Sequence, residues 1–201
     1  MTRLASGLRR VPILPTLIVL LAAAVMVRLG FWQLDRLHQK EALVARYAAA
    51  LHDPRIVPLV ALPVGPGLDY RRVALACPQP SSAEVRAGHN AHGETGWAHS
   101  VHCPLGSGSI AVVLGWSDNP GDVVWGGGAV SGVVAPAGAG GARIIANPPL
   151  AGLAANADPD PADIPNNHLA YAVQWFLFAG TALLIYGLAL RKRLAAAGQR
   201  G

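Results

Sequence analysis

The chain has 201 residues, of which 52% are hydrophobic and only 13% charged, roughly half the charged share of an ordinary soluble domain. That balance excludes an intrinsically disordered chain, which combines low hydrophobicity with high charge. The net charge of +5 does not mark nucleic-acid binding, because the charges are segregated. All acidic residues lie between Asp35 and Asp163, while the flanks carry only Arg3, Arg9 and Arg10 before Arg28, and Arg191, Lys192, Arg193 and Arg200 after His168. Basic ends around an acidic middle are a membrane-topology signal, placing both ends in the cytoplasm and the middle outside.

Residues 11–27 hold no charged side chain, and beyond Arg28 the chain stays apolar through Trp32. About 20 apolar residues cross a bilayer core as a helix, so 12–34 reads as a first transmembrane helix behind a cytoplasmic tail, 1–11. Pro12 and Pro15 fall near its start, where a missing N–H does least harm. The alternative is a cleaved signal peptide, with Arg9 and Arg10 as its basic region and Ala22-Ala23-Ala24 as its processing site. The apolar run continues past Ala24, which favours the span. Arg28, Trp32, Asp35 and Arg36 share one helix face. Arg28 either snorkels to the outer surface or pairs with an acidic ligand group.

Residues 35–167 suffice for one small domain. Leu37, Val44 and Leu51 recur at seven-residue intervals, so the first helix is predicted to continue as an amphipathic helix to about Leu51. His52-Asp53-Pro54 stops it, since the residue before proline is pushed out of the α region. Short runs rich in Val, Ile and aromatic residues then predict strands at 70–77, 96–103, 110–116, 129–134 and 142–147, with Gly, Pro and Asn turns between them. They suggest a small antiparallel sheet or partial barrel. Asp158-Pro159-Asp160-Pro161 reads as a stiff linker back to the membrane.

Cys77 and Cys103, the only cysteines, would face an oxidising compartment. They either form a disulfide or remain two thiols, since sequence does not fix their separation. His89, His92, His99 and His102 crowd into one segment and raise a metal reading. On a strand, however, His99 and His102 point to opposite faces, and the surrounding Gly and Asn favour solvated histidines in an exposed loop. No nucleophile elbow, phosphate loop, zinc-protease motif or dinucleotide fingerprint is present, so nothing argues for an enzyme.

Leu169 to Leu190 is free of charge, giving a second transmembrane helix over 168–190 and a tail over 191–201. The predicted architecture is an α+β membrane protein in which two transmembrane helices flank a small antiparallel-β extracytoplasmic domain. His168 stands at the outer mouth of the second span, where an imidazole needs a partner. On a helix, Tyr171, Ala172, Trp175, Ala179, Ala182 and Tyr186 fall within about 60° of it. Two readings remain open from the residues: an iron ligand for a flat apolar group, or a packing and hydrogen-bonding face for the first span.

Two segments at the membrane mouth carry a resemblance. GFWQLDRLHQK leaves the first span at Gly30–Lys40, and NNHLAYAVQWF enters the second at Asn166–Phe176. With YRRV at 70–73, TGWAHSVHCPL at 95–105 and VVLGW at 112–116, the chain resembles the surfeit-locus cytochrome c oxidase assembly factor family, also called the Shy family. The resemblance implies a non-enzymatic membrane assembly factor that assists insertion of haem a into oxidase subunit I. It implies haem a as a transient cofactor, with His168 as axial ligand and the only metal contact through the haem iron. Tyr171, Trp175, Trp32 and Arg36 would line the site; Gln33 and Lys40 are further family-pattern positions. The partners implied are oxidase subunit I, haem a synthase and membrane lipid, with no nucleic acid. A scaffold that holds an oxidase intermediate without touching haem is the alternative. The family's usual Arg-Gly-Trp-Val-Pro turn reads Leu114-Gly115-Trp116-Ser117-Asp118-Asn119-Pro120 here. Nothing ahead of Pro12 reads as a mitochondrial presequence, which points to a bacterial plasma (inner) membrane with a periplasmic central domain.

Overall fold

The computed structural model describes residues 12–138 and 141–198. The 1–11 tail with its arginines, and Arg200, lie outside them. Two compact units emerge: one from the chain up to Ala42 and from Pro165 onward, the other from Leu43–Ile164. A helix, α1, covers Ile13–His52. Strands follow at Val57–Pro58 (β1), Arg72–Cys77 (β2), Ser81–His89 (β3), Thr95–Leu105 (β4), Gly108–Ser117 (β5), Gly128–Pro136 (β6) and Ala142–Ala146 (β7). A second helix, α2, covers His168–Gly198 and runs on through Arg191, Lys192 and Arg193. Both helices are long and apolar enough to cross a membrane.

The seven strands form one sheet in the order β1-β2-β6-β7-β5-β4-β3. The sheet is mixed, which corrects the antiparallel expectation: β1 runs parallel to β2 and β7 parallel to β5, while the other neighbours are antiparallel. The reason is topological. The β6–β7 hairpin inserts between β2 and β5: with β6 opposing β2, β7 runs in the direction of β2, and β5 meets it running the same way. Alternating hydrophobicity marks strands but does not name their neighbours. Two strands escaped the sequence reading for the same physical reason. β1 is two residues long, and β3 is an edge strand of mainly polar or small residues with no buried side chain.

One sheet face carries the core. Val73, Leu75 and Cys77 from β2, Val101, Cys103 and Leu105 from β4, Ile110, Val112 and Leu114 from β5, and Val130, Val134 and Ile144 form one buried cluster. Each fully buried aliphatic side chain stabilises by about 1.5–3 kcal/mol relative to exposure. Cys77 and Cys103 are joined in a disulfide, Cα to Cα 5.1 Å. Their strands are separated in the sheet by β6, β7 and β5, so the sheet curls far enough to bring β2 over β4. A smaller cluster of Val113, Ala135 and Ile145 occupies the opposite face. Gly132 lies where β6 and β7 approach closely: a Cβ there would come within 2.2 Å of the Ile145 carbonyl oxygen.

The end of α1 is tied to the start of β2. Just beyond His52, the Asp53 carboxylate accepts from Arg55 at 2.6 Å and sits 2.9 Å from the Arg71 guanidinium. Hydrogen bonds from Arg55, with the Arg55 and Arg71 charges behind them, hold its carboxyl far below the usual carboxylate range. The segment just ahead of the predicted linker is laced to the sheet as well. Ala154 bridges to Trp116 and Asn156 to Asn90, and the Ala157 N–H donates to the His89 carbonyl at 2.9 Å. Only then does a short 3₁₀ turn at Pro161–Asp163, capped by Asp160, lead out of the sheet unit.

Candidate functional site

The two apolar helices pack with small residues inward and large ones outward. Ala23 and Gly30 are the buried residues of α1, Ala172 and Ala179 those of α2. In each pair the spacing is seven residues, the repeat of a coiled-coil seam, and small side chains there let membrane helices approach closely. Gly30 shows how tight the seam is: a Cβ would meet the Phe176 ring at 2.6 Å. The same ring packs edge-on against Phe31, centroids 5.4 Å apart. Leu14, Leu17, Leu21, Leu177, Leu184 and Leu188 all face outward and are exposed, as lipid contact requires.

Two polar cross-links bracket the seam. Near one end the Thr16 hydroxyl donates to the Pro12 carbonyl at 2.7 Å, so the Tyr186 hydroxyl donates to Thr16. At the other end, His168 Nδ1 lies 2.7 Å from Gln33 Oε1. The helices are therefore antiparallel. His168 is the first residue of α2 and is half-buried. Its Nε2 makes no hydrogen bond among the described residues. Two positions earlier, Asn166 Oδ1 is buried without a hydrogen-bond partner among the described residues, an acceptor left for an incoming donor.

The other expected site residues fall around this pair unevenly. Trp175 is half-buried and meets Phe178 edge-on at 6.2 Å. Tyr171 is exposed. Trp32 is exposed too, with the Arg36 guanidinium 5.9 Å from its ring centre, and Arg36 also donates to Gln39 Oε1 at 2.8 Å. Among the described residues, no hydrogen bond or ring contact joins Trp32 or Arg36 to His168. Arg28, Trp32, Asp35 and Arg36 all lie on the exposed side of α1. The residue that reaches α2 is Gln33, which sequence reasoning named only as a family position. Its signal was present: Val19, Met26 and Gln33 repeat at seven residues, on the same side as Ala23 and Gly30.

The histidine-rich segment is only in part the exposed loop expected of it: His92 is exposed in the turn between β3 and β4. His89 ends β3, and His99 and His102 stand on β4. His99 is 3% exposed, with Nε2 2.7 Å from the Ser117 hydroxyl oxygen. That hydroxyl spends its proton on the Asn119 carbonyl, so His99 Nε2–H is the donor. His102 faces the other side, 3.6 Å from Glu84, whose carboxyl is held low mainly by hydrogen bonds from Arg86. Alternation across the strand separates the two histidines. Among the described residues, no group of three or more His, Cys, Asp or Glu gathers to hold a metal ion.

A cleft of about 290 Å³ lies within the sheet unit, between Arg46, Tyr47 and Ala50 on α1 and Asp53, Asp69 and Arg71. The Tyr47 hydroxyl donates to Asp69 at 3.1 Å. Burial, then the Asp69 bond and charge, push its phenol upward. Tyr70, at a positive φ of 61°, stacks on Tyr47 at 4.7 Å, and burial raises its phenol too. These contacts are internal bracing.

Comparison with curated proteins gives no match. A family model, that of the SURF1 family, matches residues 20–180, which take in the whole sheet domain, the polar link between Gln33 and His168, most of α1 and the first part of α2. The chain belongs to the SURF1 family, a family of membrane assembly factors associated with cytochrome c oxidase assembly.

Proposed function

We propose that this protein binds haem a at the mouth of its helix pair and assists its insertion into subunit I of the oxidase. The observation that carries the reading is His168: a half-buried imidazole at the first turn of an apolar helix, bonded at Nδ1 and without a partner at Nε2 among the described residues. The donor chemistry fits, because an imidazole nitrogen is a common axial ligand of haem iron. Bound haem would supply an iron with an open coordination position and a large flat apolar surface. The chain's own residues do the rest. His168 offers the nitrogen, Tyr171 and Trp175 extend aromatic surface along α2, and Trp32 adds more from α1. Arg36, exposed above Trp32, offers a guanidinium to an acidic side group. Asn166 offers its unpaired acceptor. The sheet domain is the docking module for subunit I and for haem a synthase, on the periplasmic side of a bacterial plasma membrane.

The test is the absorption spectrum of detergent-purified protein from cells that make haem a. Wild type is expected to carry haem and His168→Ala to lose most of it; equal haem content in both rejects ligation by His168. A second reading, a scaffold that never touches haem, draws on the Gln33–His168 bond, which by itself accounts for a histidine at this place as a helix cross-link. It is favoured if a haem-free variant with an intact sheet still supports oxidase assembly.

A further inference from the structure

We infer that Gln33 is a positioning residue that sets which nitrogen of His168 is presented to iron. The inference rests on ligation by His168 and adds to it a defined tautomer. An amide oxygen carries no proton, so the 2.7 Å contact between Gln33 Oε1 and His168 Nδ1 requires the proton on Nδ1. A neutral imidazole has one N–H, and the lone pair is therefore on Nε2, the nitrogen without a partner among the described residues. In water the balance runs the other way, with the Nε2–H form predominating, so a helix pair without this acceptor would present a protonated Nε2. Fixing of tautomer and ring direction by the partner of the non-ligating nitrogen is general for metal-binding histidines.

The identity of the partner matters as much as its position. A carboxylate here would draw the Nδ1 proton toward itself, make the ligand more electron-rich and stabilise ferric iron. A neutral amide orients the ring without adding charge at the lipid edge, where a charge is expensive. The resulting ligand is well aimed but only moderately strong, a property suited to a protein that must give its haem up. Gln33 reaches His168 because Gly30, one turn earlier, lets the Phe176 ring press against the α1 backbone.

The experiment uses the full chain in detergent, with nitrogen-15-labelled histidine for haem-free protein and haemin as the binding probe. Wild type is expected to show His168 with its proton on Nδ1. Gln33→Leu is expected to shift it toward Nε2–H and to weaken haemin binding by about 10- to 100-fold. Gln33→Glu, which keeps an acceptor in place, is expected to retain the Nδ1–H form, bind ferric haem at least as tightly and lower its reduction potential. An Nε2–H signal in wild type overturns the inference, whatever the variants do. So does wild-type haemin affinity in Gln33→Leu when His168→Ala has lost it. If His168→Ala also binds as wild type, the ligation reading itself has failed and the positioning role falls with it.

Discussion

The helix pair and the sheet domain bury opposite kinds of residue. In the sheet unit the buried side chains are mainly Val, Ile, Leu and a disulfide, and few large hydrophobics are exposed: Ile56, Val60 and Val124. In the helix unit the buried residues are Ala23, Gly30, Ala172 and Ala179, and the large hydrophobics point outward. One chain is thus adapted to two solvents. Water drives bulk inward, at about 25 cal/mol per Å² of apolar surface. Lipid is as apolar as leucine and rewards only close approach and polar links between helices.

The largest expected effect tests this contrast directly. Ile144→Ala, at a fully buried position, is expected to destabilise the sheet domain by about 2–5 kcal/mol, read from urea unfolding by tryptophan fluorescence. Leu17→Ala on the outer face of α1 should change that midpoint by less than about 0.5 kcal/mol. An equal loss from both would break the two-solvent picture. Reducing the Cys77–Cys103 bond, which closes a separation of 26 residues, should cost about 3–4 kcal/mol in the same assay.

Gly30→Leu acts on the other unit. Its side chain has no room beside Phe176, so the seam should loosen by about 1–3 kcal/mol. A disulfide introduced between positions 16 and 186 should then form less readily. Ser117→Ala strands the buried His99 N–H and should cost the sheet domain about 1–3 kcal/mol, with the helix seam unaffected.

The smallest effect is a pH dependence. Asp53 and Glu84 have carboxyls held below their ordinary range by Arg55 and Arg86. Groups lowered in the folded state stabilise fully above the unfolded pKa, about 4, and lose that contribution as pH falls through the lower folded value. The sheet domain should therefore weaken on acidification below about pH 4, and Asp53→Asn should flatten that decline. An identical acid profile for the variant would show that the Arg55–Asp53–Arg71 clamp does not contribute.

Much of the architecture could be read along the chain because it depends on local periodicity. Both helices were visible as uncharged runs, and His52-Asp53-Pro54 does end α1. Strands β2, β4, β5, β6 and β7 showed as alternating or β-branched runs. What escaped depends on neighbours. β3 has no apolar alternation because its exposed edge position asks for none. His99 looked solvated because the hydroxyl that satisfies it is 18 residues away, on β5. His168 was legible as an imidazole at a membrane mouth, but its partner is 135 residues distant. The expected companions Trp32 and Arg36 turn to the exposed side of α1, a rotation that only the packing of α2 decides.

Composition, charge segregation and hydrophobic period were sufficient to establish two membrane-length helices around a β-rich domain, because solvent preference is written residue by residue. Strand order, the parallel pairs, the closure of Cys77 on Cys103 and the pairing of Gln33 with His168 were decided only in three dimensions. Each depends on which distant segments fill the same space, and neither a propensity nor a period encodes that.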